Sequence, residues 1–271
     1  MSKIRIQNNI KELISIHEGL SSADNLKPSP KVDSNFFKLV DLVDSTPRDI
    51  SDRILDENSI QAIHQDFRRI ASEGEGELEK HWAQYILGSD DFREAIKRFP
   101  YIGNYEKMMM VETQAMKSCD IHNHHKVLFI GSGPLPLSSI ILAERYGYRV
   151  DNLDIDITAC ELSSQIIAGL GLSDSIKVIN KSIFDMLDFS EYDCVFIAAL
   201  VGENENDKRE IIEHVTNHAD KGTHIVLRSV KDLGTLLYPE ITDEHLKNIN
   251  VLKINDRQQG IINNIIVGKI K

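Results

Sequence analysis

The sequence predicts an α/β protein, a Rossmann-like doubly wound sheet preceded by a helical N-terminal domain. Three observations carry this. Residues 126–156, KVLFIGSGPLPLSSIILAERYGYRVDNLDID, run strand, glycine turn, helix, strand, acid. Beyond residue 120 the pattern alternates between short apolar runs and helical periodicity, as repeated βα units do. Before residue 120 only helical periodicity is found. The chain of 271 residues is long enough for such a pair of domains, placed at 1–120 and 121–271.

In chain order, Ile4, Ile10, Leu13, Ile14 and Leu20 recur at helical spacing over residues 3–21. Pro28-Ser29-Pro30 punctuates the chain, and a short helix follows with Asp33 or Ser34 near its cap. From 59 to 87 a long helical pattern contains Gly74 and Gly76. Each glycine costs about 1 kcal/mol against alanine, so the pair implies a kink or a close neighbour. Glu75 and Glu79 stand four residues apart, on one face with Trp82. Two readings fit them. One is a solvated acidic face. The other is a pair of desolvated, mutually repelling carboxylates whose pKa rises toward general-base use. After Pro100 comes a helix through Met108, Val111 and Ala115, whose methionines read as core filler.

The apolar strand 127–130 opens the second half. Gly131-Ser132-Gly133 then lets the backbone approach a ligand, and the helix over 137–146 presents free N–H groups beside it. Strand 148–153 ends in the acids Asp154 and Asp156, placed to accept ribose hydroxyls. Pro136 replaces the third glycine of a dinucleotide fingerprint. That favours a nucleoside without phosphates, of which S-adenosylmethionine is the common one. A helix over 158–170, strand 176–180, Asp185 in a loop suited to an adenine amine, the apolar strand 192–199, a helix over 207–219 and strand 223–229 with Arg228 follow. The strands near 251–254 and 260–268 read as a closing antiparallel pair, with ligand at the carboxyl-terminal strand ends.

Composition narrows the function. With 31 basic and 42 acidic residues the formal charge is −11, which argues against nucleic acid or anionic membrane as main partner. No apolar run approaches the roughly 20 residues that span a bilayer. MSKIRIQNNI lacks a signal-peptide core, and three scattered cysteines read as buried thiols in a reducing cytosol. A cytoplasmic protein is expected. His122, His124 and His125 lie on a polar loop without framing carboxylates or thiols, so no metal site is expected.

Phe129-Ile130-Gly131-Ser132-Gly133-Pro134-Leu135-Pro136 closely resembles the F-x-GSGPLP segment of nicotianamine synthases. So do Asp151-Asn152-Leu153-Asp154, Ala198-Ala199-Leu200-Val201-Gly202, Leu227-Arg228-Ser229 and Leu237-Tyr238-Pro239. In the first half Pro28-Ser29-Pro30, Glu75-Gly76, Leu78-Glu79, His81 and Asn104-Tyr105 match as well. The resemblance covers nearly the whole chain in order.

It implies a sheet of the S-adenosylmethionine-dependent methyltransferase type and an aminobutanoyl transferase. S-adenosylmethionine would serve as co-substrate, with no permanently bound cofactor and methylthioadenosine as leaving group. Carried over by position, Glu79 is the base and Tyr105 its partner. Gly131, Ser132, Gly133, Asp154, Asp156, Asp185 and Ala199, Leu200 and Val201 hold the donor. Glu75 and Arg228 contact substrate, with a structural ion pair as the other reading of Arg228. The chain is shorter than plant members, and Asp33 stands where they would carry asparagine. This is similar to the bacterial staphylopine-type members and implies histidine, in its D form, as acceptor, with Asp33 selecting it. Such a member would feed an opine-type dehydrogenase; a homodimer is left open. Nicotianamine synthesis with S-adenosylmethionine as acceptor, methyl transfer and a non-catalytic nucleoside sensor are the rival readings.

Overall fold

The computed structural model describes residues 2–258 and 260–271. Helices α1 (Ser2–Ser21), α2 (Pro30–Ser45), α3 (Arg48–Leu55), α4 (Asn58–Gln61), α5 (His64–Leu87), α6 (Phe92–Lys97) and α7 (Ile102–Ser118) precede the first strand. Then follow β1 (Lys126–Ile130), α8 (Leu137–Tyr146), β2 (Arg149–Asp154), α9 (Ile157–Gly169), β3 (Ile176–Asn180), β4 (Cys194–Ile197), α10 (Glu205–His218), β5 (His224–Ser229), β6 (Ile249–Asn255) and β7 (Asn264–Ile270). Short 3-10 turns lie at Ile183–Asp185 and Asp232–Leu236.

The sheet order is β3-β2-β1-β4-β5-β7-β6. The first five strands are parallel, while β7 runs antiparallel between β5 and β6. Chain order reverses between β1 and β4, and that reversal opens a crevice at the carboxyl ends of the strands. β4 and β5 are buried along their whole length; β4 is wholly apolar, and β5 is apolar between His224 and the buried Arg228–Ser229 end. β6, at the edge, exposes Val251, Leu252 and Ile254.

The N-terminal helices pack over that crevice through two apolar contacts. Leu39, Ile54, Phe67 and Ile70 close on Leu233, Leu236 and Leu237. Ala83, Ile86 and Phe99 close on Leu137, Ile140, Ile166 and Leu170. Arg68 adds a bidentate pair to Glu205 at 2.8 and 2.9 Å.

Three details correct the sequence reading. The cap of α2 is Ser29, which accepts from the Val32 amide, with Pro30 at the first helical position; Asp33 lies inside the first turn. The long pattern over 59–87 is two helices, broken between Gln61 and His64. α5 then runs unbroken through both glycines, and a Cβ on Gly74 would overlap the Phe36 ring, so close approach and not a kink explains that glycine. Helices α3 and α6, of eight and six residues, are too short for a helical period to stand out. Cys119, Cys160 and Cys194 are free and buried.

Candidate active site

β1 ends in the glycine turn, where Gly131 and Gly133 adopt φ of +78° and +67°, values that side chains disfavour. Asp154, the last residue of β2, pins this turn. Its Oδ2 accepts the Gly133 amide at 2.8 Å, and its Oδ1 accepts the Asp156 amide at 3.0 Å. Each carboxylate oxygen keeps a lone pair for a further donor.

A cavity of about 470 Å³ fills the crevice above this turn. Gly131, Ser132, Gly133, Asp154, Ala199, Leu200, Val201 and Arg228 line it from the sheet side, and Glu75, Glu79 and Tyr105 from the helical side. A second chamber of about 270 Å³ adjoins it, lined by Asp33, Phe36, Phe37, His81, Trp82 and Tyr101. Glu75, Glu79, Asn104, Tyr105 and Tyr238 belong to both walls. The carboxylates therefore stand at the junction of two chambers.

α5 carries both glutamates to that junction. Tyr105 on α7 donates to Glu79 Oε1 at 3.1 Å, and Tyr238 donates to Glu75 Oε2 at 2.9 Å. Glu79 reaches so far into the glycine turn that a Cβ on Gly133 would overlap its Oε2. Burial raises the Glu79 pKa well above the usual carboxylate range, and the neighbouring Glu75 charge adds to this against the Tyr105 hydrogen bond. Glu75 is raised too, by burial, with Tyr238 and Arg228 opposing. Burial and the same two acids hold both tyrosines far above an ordinary phenol, so each remains a donor.

Arg228, on β5, is 6% exposed. It is clamped by Glu112 at 2.8 and 2.9 Å and donates to Ser138 Oγ at 2.8 Å. The guanidinium lies over the Phe129 and Phe196 rings, at 5.5 and 5.0 Å. Nε and Nη2 take all these contacts. The ion pair and the cavity position thus coexist in one side chain. Behind Ala198 and Ala199, fully buried Lys208 donates to their carbonyls at 2.7 and 2.8 Å, and burial, with Arg228 adding to it, lowers its pKa to about 7.

Two sequence-predicted residues lie elsewhere. Asp156 caps α9, accepting from the Thr158 amide at 2.8 Å, and stands 3.6 Å from Lys80. Asp185 is exposed at the end of its 3-10 turn; Lys181, Ser182, Ile183 and Phe184 supply that part of the wall instead. Within this segment residues 181–184 border the cavity and Asp185 does not. Glu112, Tyr238 and Lys208 were missed. Glu112 and Lys208 each sit on an otherwise apolar helical face, with Met108, Val111 and Ala115 or with Ile211, Ile212 and Val215. That misplacement of charge is the signal that could have found them.

The sequence pattern of the nicotianamine synthase protein family matches residues 3–271. The chain belongs to the nicotianamine synthase family. Nicotianamine synthase 2 of Arabidopsis thaliana is 33% identical over 268 residues, covering 96% of this chain and 83% of that protein. The fold matches a glutamate-to-glutamine mutant of MtNAS in complex with S-adenosylmethionine, with a TM-score of 0.83 at 22% identity over 96% of this chain and 97% of that one. It also matches MtNAS in complex with MTA and tNA, with a TM-score of 0.84 at 21% identity over 98% of both chains. In this member of the nicotianamine synthase family the paired acids, their tyrosines and the glycine turn converge on one cavity.

Proposed function

We propose that the protein transfers the aminobutanoyl group of S-adenosylmethionine to an amine. The observation that carries this is the Glu79–Tyr105 pair at the junction of two chambers, directly against the glycine turn. The sheet-side chamber suits a nucleoside held by Asp154 and the turn. Residues 121–271 would hold this donor, and residues 1–120 would bring the base and much of the acceptor wall.

The sulfonium makes both its methyl and its γ-methylene carbons electrophilic, and position decides which reacts. Attack by an uncharged nitrogen at the γ-carbon forms the N–C bond. The S–C bond breaks and its electron pair stays on sulfur, which leaves as the neutral thioether methylthioadenosine. The proton lost by nitrogen passes to Glu79, whose raised pKa suits it to accept. Tyr105 fixes the carboxylate rotamer through Oε1. Glu75, Glu79 and Asp154 outnumber Lys181 and the Glu112-paired Arg228 in the cavity wall, which favours a cationic substrate.

The similar proteins are named nicotianamine synthases, which supports S-adenosylmethionine as acceptor as well as donor. A second reading, histidine as acceptor for a staphylopine-like product passed to an opine-type dehydrogenase, rests on Asp33, which lines the second chamber and carries a carboxylate suited to an imidazole N–H. Incubation with labelled S-adenosylmethionine, with and without each histidine enantiomer, followed by mass spectrometry, separates them. Multiply transferred product from S-adenosylmethionine alone supports the first. A one-to-one histidine adduct supports the second. No transfer product under either condition overturns both.

A further inference from the structure

Two polar side-chain atoms of the cavity wall are enclosed without any hydrogen-bond partner among the described residues: Ser132 Oγ in the glycine turn and Asn263 Nδ2. Leaving such a group unpaired costs on the order of 1–3 kcal/mol, and native proteins rarely tolerate it without a use. Ser132 belongs to the turn already assigned to the donor. Asn263 belongs to nothing assigned so far.

Its place in the fold is defined by register. In the β5–β7 pairing, Arg228 faces Ile265 and Ser229 faces Asn264. Asn263 is the next residue outward, at the carboxyl end of β5, and lines the same cavity as Arg228, Tyr238 and Met108. The opposite stretch of wall, with Asp154, Ile155 and Phe184, suits the nucleoside. An extended sulfonium donor with its sulfur near Glu79 would turn its amino-acid arm toward Asn263.

We propose that the Asn263 amide binds the carboxylate of that aminocarboxypropyl arm. The inference rests on the donor reading above. A carboxylate entering this end meets Glu75 and Glu79; of the two cations in the wall, Lys181 stands beside Asp154 at the nucleoside end, and Arg228 already has its Nε and Nη2 committed to Glu112 and Ser138. A neutral donor beside this paired guanidinium adds to what its remaining Nη1 offers. An amide supplies two N–H groups without adding a positive charge, and an added cation would lower the Glu79 pKa and weaken the base.

The test is calorimetric titration of S-adenosylmethionine and of methylthioadenosine, which lacks the arm, into the parent protein, Asn263→Ala and Asn263→Asp. The alanine variant is expected to lose about 10- to 100-fold in S-adenosylmethionine affinity, with methylthioadenosine unchanged within about twofold by the same principle. The aspartate variant, with like charge facing the arm, is expected to lose more. Equal loss for both ligands, or loss for neither, overturns the inference. Should the alanine variant fail to fold, Asn263→Ser, which keeps one donor, is expected to show an intermediate loss for S-adenosylmethionine alone; parallel losses there would overturn it as well. A parent that binds neither ligand overturns the donor reading, and this inference with it.

Discussion

Replacing Glu79 by glutamine isolates the base from its scaffold. The amide keeps an oxygen for the Tyr105 hydroxyl and has the same size against Gly133, where the absent Cβ leaves room. Donor affinity should therefore change little, while kcat falls by about 10²- to 10⁴-fold, the range for a lost general base. Stability should move the other way. Because the folded pKa of Glu79 lies above 4.5, the folded chain holds a proton that the unfolded chain releases. The parent consequently loses stability as pH rises from 4.5 to that folded value. Glutamine has no such loss. About 1.4 kcal/mol accrues per pH unit, which sets a ceiling of about 3.5 kcal/mol at pH 7. Initial rates, donor titration and melting curves from pH 4 to 8 read all three effects. A variant within tenfold of parental turnover, or a melting difference that stays constant with pH, would refute the reasoning.

Gly133→Ala places a Cβ on Glu79 Oε2 at a residue with φ of +67°; turnover should fall more than about 100-fold with circular dichroism unchanged, the general-base range again being the guide. Tyr105→Phe removes the hydrogen bond that restrains the Glu79 pKa. Its kcat should drop about tenfold or more, and the acidic limb of its pH–rate profile should shift to higher pH. Lys208, with a folded pKa lowered to about 7 from 10.5, is charged in both states below pH 7, where the burial cost is fully felt. Between pH 7 and 10.5 the folded state sheds the proton first, so parental stability should rise with pH across that window. Urea denaturation at pH 6.5 and 9 should show this rise in the parent and its loss in Lys208→Met.

Local chemistry made much of this readable in advance. The helix over Leu137–Tyr146 and the strand Ile176–Asn180 fall where periodicity places them, because glycine turns and acids mark their ends. The sheet order was legible only as a class, since the placing of β7 between β5 and β6 depends on pairings remote in sequence. Glu75 and Glu79 were visible as a pair on one helical face. Their tyrosines come from residues 105 and 238 and meet them only through tertiary packing. Arg228 had two open readings, and its clamp by Glu112, 116 residues away, could not be counted from spacing. Asp185 failed for a related reason: one short turn decides which of five successive residues faces the cavity.

The account stands on nitrogen attack at the γ-carbon of the donor. The most direct measurement is the nucleoside released from S-adenosylmethionine in a single turnover, separated by chromatography. Methylthioadenosine, in step with the new N–C product, is the predicted result; S-adenosylhomocysteine would contradict it.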